Sequence, residues 1–365
     1  MKALSTAASI AVLLLLFPHA TEAQSNTPPK KLFEALARND QKGALALVPT
    51  VSDINYSDKY GATLLMCSAE IGAADVCKAL LDRGADPDKQ SANGTTALYI
   101  AAQNGHEDVA RILLDREADT DLRPDNGATP LIVASLYGFS DIVGLLADKG
   151  ASIDLQDNNG STALIMASQN GYKDVVSLLL KKGAKTDLQD RNGASALILA
   201  AQEGKAAIVR LLLEYGAEAD LQTGNGNSAL VLASLKGNEE TVQLLLENDA
   251  QVNLKTNTGA TALFAAASRG HCKVVNLLLD KGASVRAKNG RGETPLDVVS
   301  ADWSPQLEQT YRTIGELVGK GSPTLLATIS TLDPIWFYCN VSEVQYLRAE
   351  GGEGDDADIV SWANG

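Results

Sequence analysis

With 365 residues, 45% of them hydrophobic, the chain can bury a large core, yet only 5% is aromatic. That balance suits thin layers of close-packed helices rather than one thick globule. A formal net charge of -14 argues against a nucleic-acid ligand, which needs clustered Lys and Arg; it fits a basic partner at most, and otherwise keeps a long surface soluble.

Lys2 precedes the apolar run Ala7 to Phe17, and Pro18, Thr21, Glu22, Ala23 and Gln24 follow. A short basic start, an apolar core too short to span a bilayer, and small residues at a cut after Ala23 or Ala20 read as a signal peptide over 1–23. Export to the periplasm or the medium is therefore expected; the rival reading is an uncleaved anchor. No Cys lies in this segment, which excludes a lipidated cysteine there. No later apolar run reaches spanning length, so no membrane span is expected in the mature chain. Residues 24–30, with Pro28-Pro29, read as a linker.

Residues 31–57 form a degenerate unit opened by Leu32 to Ala37 and closed by Asp53-Ile54-Asn55. Asn39 stands where later units carry Gly, and Asn is the next best residue for a left-handed turn. A divergent first unit whose outer face meets water is a cap. From 58 to 302 the chain then repeats every 33 residues. One glycine column runs Gly61, Gly94, Gly127, Gly160, Gly193, Gly226, Gly259, Gly292. Four positions on runs Leu65, Leu98, Leu131, Leu164, Leu197, Leu230, Leu263, Leu296, with Thr or Ser always between. A second glycine column runs from Gly72 through Gly138 to Gly270. Self-similarity at a fixed period marks stacked repeats. The G-x-T-x-L-x-x-A-x-x-x-G pattern and its spacing resemble ankyrin repeats over about 30–302. The resemblance implies an all-α repeat fold, an ankyrin solenoid of stacked helix-turn-helix units with β-hairpin fingers.

Within one period, Thr162 to Gln169 reads as a short first helix, ended by Gly171 in a left-handed cap. Asp174 falls in the first turn of a second helix, where an anion is favourable. Val175, Leu178 and Leu179 give its i, i+3, i+4 apolar stripe, and Gly183 closes it. Asn-Gly at Asn93, Asn126, Asn159, Asn192 and Asn225 predicts tight type I′ finger turns. Two departures from the family pattern stand out. Its T-P-L-H keeps Pro only at Pro130 and Pro295, and the His position holds Tyr99, Ile132, Ile165, Ile198, Val231 and Phe264, so the family's Thr–His bond is missing. Glu117 and Asp249 replace the glycine that ends the second helix.

Residues 303–311 read as a linker or partial helix. From about Tyr311 the texture changes to short β-branched and aromatic runs between Gly, Pro and Asp turns. Residues 312–348, with Thr324-Leu325-Leu326-Ala327-Thr328-Ile329 and Leu332-Asp333-Pro334-Ile335-Trp336-Phe337-Tyr338, resemble part of the periplasmic adaptor (membrane-fusion) subunits of tripartite efflux pumps. A short β-rich C-terminal segment is expected, too short to close the adaptor's barrel. It reads as a fusion remnant, or as a docking tag for an efflux assembly. Residues 349–365 form an acidic, glycine-rich tail expected to lack fixed structure.

No catalytic constellation is found, and neither a cofactor nor a metal is expected. There is no G-x-S-x-G, Walker loop or H-E-x-x-H. His106 and His271 each follow a helix-ending Gly and have no partner at metal spacing, so both read as structural; His19 leaves with the signal peptide. Cys67 and Cys77 fall on the two helices of one repeat and read as buried thiols or as a disulfide. The column Asp88, Asp121, Asp154, Asp187, Asp220 could hold calcium, but helices about 8–10 Å apart are too widely spaced for shared ligation, and bonds to backbone amides account for it.

What remains is a surface. In ankyrin repeats, partners lie in a concave groove against finger tips and first-helix ends. The matching positions are Tyr60, Glu70, Ile71, Gln103, Asn104, Leu136, Tyr137, Gln169, Asn170, Gln202, Glu203, Leu235, Lys236, Ser268 and Arg269. They vary while the scaffold columns repeat. Leu136, Tyr137 and Phe139 bring apolar and aromatic groups to one turn, the kind of anchor that dominates binding energy. The resemblance thus implies a monomeric, non-catalytic protein-binding scaffold. The alternative is an accessory factor of an efflux assembly, docking through 312–348.

Overall fold

The computed structural model describes residues 27–295, 297 and 298. The expected signal peptide (1–23), the expected β-rich adaptor-like segment (312–348) and the acidic stretch 349–365 lie outside the described residues. Sixteen α-helices and one short 3-10 turn are bounded within them, and no strand is. The helices come in pairs. The first pair is α1 (Pro28–Ala37) and α2 (Gln41–Leu47), which is followed by the 3-10 turn Val48–Thr50. Next come α3 (Leu64–Glu70) with α4 (Ala74–Asp82), α5 (Ala97–Asn104) with α6 (Glu107–Asp115), and α7 (Pro130–Tyr137) with α8 (Ser140–Asp148). Then follow α9 (Ala163–Asn170) with α10 (Lys173–Lys181), and α11 (Ala196–Gln202) with α12 (Ala206–Glu214). The last are α13 (Ala229–Lys236) with α14 (Glu239–Glu247) and α15 (Ala262–Ala267) with α16 (Cys272–Asp280). The chain divides into two compact units between Arg191 and Asn192. Within each unit, first helices pack on first helices and second on second: α5 on α7 on α9, α6 on α8 on α10, then α11 on α13 on α15 and α12 on α14 on α16.

Each first helix starts where a hydroxyl stops the chain. Thr162 has extended backbone, and its Oγ1 accepts the amide of Ile165 at 3.2 Å. Thr129 caps Ile132 and Ser228 caps Val231 in the same way. Such a cap is worth about 1 kcal/mol, and it survives the loss of the family's histidine. Gly171 ends α9 with φ 85, the left-handed cap that the spacing predicts. Asp174 lies in the first turn of α10. The apolar stripe of α10 differs from expectation. Val175, Val176, Leu179 and Leu180 are buried while Leu178 is half-buried. The reason is packing from two sides: α10 turns one face to its own first helix and another to α8, where Leu178 lies under Gly144.

The N-terminal unit also differs in detail. Its helix begins at Pro28, so residues 28–30 are helical rather than linker. A proline at the first helical positions gives up an amide that would have no partner there, and its fixed φ already suits the helix. Leu32 and Leu36 are fully buried, and Asn39 takes the left-handed backbone at φ 55.

The fingers are corrected on two points. Among the described residues they hold isolated bridge residues, among them antiparallel Ser57 with Thr63 and Gln222 with Ser228, and no hairpin strands. Their tips are not type I′ turns, because among the described residues the tip asparagines have negative φ. In 157–161 the Gly160 amide donates to Asp157 O at 2.9 Å and Asp157 N donates to Ser161 O at 3.0 Å. This is a type I-like turn closed by one left-handed glycine, φ 81 at Gly160. The type I′ prediction counted Asn-Gly as the two central residues; the turn instead places Gly one position later. One bond then joins each tip to the next: Asp125 N to Asn93 O, Asn158 N to Asn126 O, and in the second unit Asn257 N to Asn225 O.

Candidate functional site

In the unit ending at Arg191, the expected binding positions fall at the C-terminal ends of first helices. Gln103 and Asn104 end α5, Leu136 and Tyr137 end α7, Gln169 and Asn170 end α9, and Ile71 follows α3. A left-handed glycine directly after α5, α7 and α9 turns the chain away, fixing each pair on the rim of its helix. Tyr137 is 47% exposed and Tyr60, on the first finger, 43%. The rings of Tyr137 and Phe139 lie 6.2 Å apart at 35°, within the range of favourable aromatic contact. Phe139 itself slides beneath Gly105, where a Cβ would come within 2.7 Å of its ring. Lys59 Nζ sits 5.1 Å from the centroid of Tyr60, a cation–π contact that the spacing gave no signal for.

The amides here do different work. Asn104 Nδ2 donates to Glu70 Oε2 at 3.1 Å, and Asn170 Nδ2 turns back to Met166 O at 2.9 Å. Burial raises the Glu70 carboxyl above its ordinary value, while the Asn104 bond and the charge of His106 pull it back. Ile71, Gln103 and Gln169 line the same rim, and Leu136 is half-buried beside Tyr137.

In the second unit, Gln202 ends α11 and Glu203 follows it; Leu235 and Lys236 end α13; Ser268 caps α15 and Arg269 follows. Gln202 Nε2 donates to Glu203 Oε1 at 3.1 Å, and Ser268 Oγ donates to Ala265 O at 2.9 Å. Lys236 and Arg269 are exposed. In this unit the expected positions combine Glu203, Lys236 and Arg269 with Gln202, Leu235 and Ser268.

His106 and His271 belong to the scaffold. His106 Nε2 lies 3.0 Å from Glu70 O, and His271 Nε2 lies 3.2 Å from Leu235 O. Asn238 occupies the same repeat position and donates to Ala201 O at 3.0 Å. Each fastens its repeat to the one before. The aspartate column does likewise: Asp88 Oδ1 accepts Asp119 N at 2.8 Å, Asp121 Oδ1 accepts Ser152 N at 3.1 Å, Asp154 Oδ1 accepts Lys185 N at 3.0 Å and Asp220 Oδ1 accepts Gln251 N at 2.9 Å. These carboxylates are used as amide acceptors, and no group of three metal-ligating side chains forms among the described residues. Cys67 and Cys77 are buried free thiols. Burial, reinforced by Asp58 and Glu70, drives the Cys67 thiol far above its ordinary range. Burial also pushes Cys77 up to about 12, against the lowering effects of Ser68 and Arg116. Both are held as neutral thiols, which are poor nucleophiles. The arrangement offers contact area and hydrogen bonds.

The family profile described as "Ankyrin repeats (3 copies)" matches residues 22–124, 65–157, 118–190, 149–223 and 197–289. Comparison with curated proteins returns no match. No helix among the described residues is long and apolar enough to cross a membrane. Ankyrin repeats serve protein–protein interaction and are generally non-catalytic scaffolds. The repeated caps, the repeat-to-repeat carboxylate bonds and the family match all point one way, and the chain belongs to the ankyrin-repeat family.

Proposed function

We propose that this chain is an exported, monomeric ankyrin scaffold that binds a protein partner through its finger tips and first-helix ends and catalyses nothing itself. The observation that supports it is Tyr137, half exposed beside Phe139 on a rim whose neighbouring positions vary from repeat to repeat. Exposed aromatic anchors ringed by polar groups carry most of the energy in protein interfaces. Export rests on the sequence of residues 1–23, and the partner's compartment is the periplasm or the medium.

The test is capture of partners from the exporting compartment with the wild type and with Leu136→Ala plus Tyr137→Ala. Loss of at least about tenfold in capture is expected, as for a hot spot worth more than about 1.4 kcal/mol. Unchanged capture would remove Tyr137 as the centre. A third arm removes residues 303–365 and should leave capture intact; capture lost there and kept in the double variant would point instead to the adaptor-like segment.

A further inference from the structure

Finger charge changes sign within the second unit. The finger 218–228 carries Glu218 and Asp220 and no cation, the finger 251–261 carries Lys255 alone, and the finger 284–294 carries Arg286, Lys288 and Arg291 against Glu293. Arg286 stands where the preceding repeats have Asn253 and Asp220, the residues whose side chains accept an amide of the following repeat. The two basic fingers adjoin: Gly290 N donates to Thr258 O at 2.6 Å, and Lys255 Nζ lies 3.4 Å from Lys288 O. Lys255, Arg286, Lys288 and Arg291 are all exposed, and none forms an ion pair within 4.0 Å among the described residues. Of the nearby carboxylates, Glu293 accepts Asn289 Nδ2 at 2.8 Å, and Asp297 accepts the amide and hydroxyl of Thr294 at 2.7 and 2.8 Å while also feeling the charge of Lys288. Four exposed cations are thus carried by the last two described fingers of a chain whose net charge is -14.

The same chain contains the complementary charge. From Glu350 to Asp358 it places five carboxylates, Glu350, Glu353, Asp355, Asp356 and Asp358, in nine residues, and no cation occurs from 349 to 365. The described chain stops at Val298, a few residues past Arg291, and residues 299–349 intervene. At about 3.3 Å per extended residue, these 51 residues could reach roughly 170 Å, far more than the distance back to the finger demands. We propose that the acidic stretch 350–358 docks on the basic surface of the last two described fingers, in the same molecule. Tethering favours this occupant over a free acidic peptide, because the encounter is intramolecular. The overall negative charge disfavours a nucleic acid or an anionic membrane. Single exposed ion pairs are weak, so the contact depends on several acting together and is screened by salt.

Zero-length carbodiimide coupling of the full chain tests this, since it joins a lysine amine to a carboxylate only when the two touch. A mixture of isotopically light and heavy chains at about 20 mM salt should yield cross-links from Lys255 or Lys288 to residues 350–358, all light–light or heavy–heavy. Their yield should fall at least about fivefold at about 500 mM salt, where the screening length shrinks below 5 Å. Arg286→Glu plus Arg291→Glu keeps both reporter lysines and should lower the yield about tenfold, with unchanged helicity. Three outcomes overturn the proposal: mixed light–heavy products, which would make a second copy the occupant; no coupling at these lysines; or a yield indifferent to salt and to the double variant.

Discussion

Glu117 and Asp249 hold left-handed backbone, φ 59 and φ 61, at a position that is glycine in most repeats. The place explains the tolerance. At the equivalent Gly84, Gly150, Gly183 and Gly216 a Cβ would meet nothing within 4 Å, so a side chain costs only backbone strain. At the finger tip the case is different: a Cβ on Gly160 would come 2.9 Å from the backbone of Arg191, and that column is glycine throughout. The sequence shows one column substituted and the other invariant, and the neighbouring backbone supplies the reason. Strain of this kind costs about 1–2 kcal/mol, partly offset by the entropy a glycine loses on folding. Glu117→Gly is expected to raise unfolding free energy by about 1 kcal/mol in urea titration, and Asp249→Gly by less, since Asp visits this backbone region more readily.

At the scale of the helix, position within the repeat decides what a hydroxyl does. Ser135, Ser168 and Ser234 share one column with Ala69, Ala102, Ala201 and Ala267, and their Oγ atoms are buried without a hydrogen-bond partner. Thr129 is equally buried but accepts the amide of Ile132 at 3.2 Å. Ser135→Ala should therefore be neutral or stabilising by up to about 2 kcal/mol, and Thr129→Ala destabilising by about 1 kcal/mol. Of these two buried hydroxyls, removed in parallel and read by thermal or urea unfolding, only Thr129 should cost stability; both destabilising by equal amounts would refute the assignment. Helix ends are legible from Thr, Ser and Gly alone, because caps are local chemistry. The face that α10 buries is not, since Leu178 is placed by Gly144 in another repeat, and the tip turn sits one residue away from the Asn-Gly expectation because only its glycine takes positive φ.

For the whole chain, 45 acidic against 31 basic side chains set a repulsive background. Against it stands a ladder on the second-helix ends of the first unit. Arg116 pairs with Asp82, Lys149 with Asp115 at 2.8 Å, and Lys182 with Asp148 at 2.6 Å. Lys149 holds the Asp115 carboxyl below its ordinary value, but the carboxylates of all three rungs are more than half exposed. Such pairs are worth about 0–1 kcal/mol each and are screened by salt together with the repulsion. With an excess of 14 negative charges, the repulsion should dominate. Raising salt from about 20 to about 200 mM, which shortens the screening length from roughly 20 to 7 Å, should raise the thermal midpoint; a fall would mean that the ladder outweighs the background. At this scale the period and the repeat family are readable from residue spacing, whereas the candidate rim comes from the family resemblance alone. The sign of finger charge was also present in the letters, but it acquires meaning only once Lys255 and Lys288 are seen to adjoin.

The joint between neighbouring tips has a consequence for how such a chain can change length. The bond from Asn158 N to Asn126 O and that from Arg191 N to Asn159 O use the same atoms one period apart. Excising residues 127–159 would splice Asn126 to Gly160 and regenerate the same dipeptide, with Arg191 N left facing an identical acceptor. Whole periods can be lost or gained by recombination without an ill-fitting seam, whereas a cut of any other length throws every later column out of step.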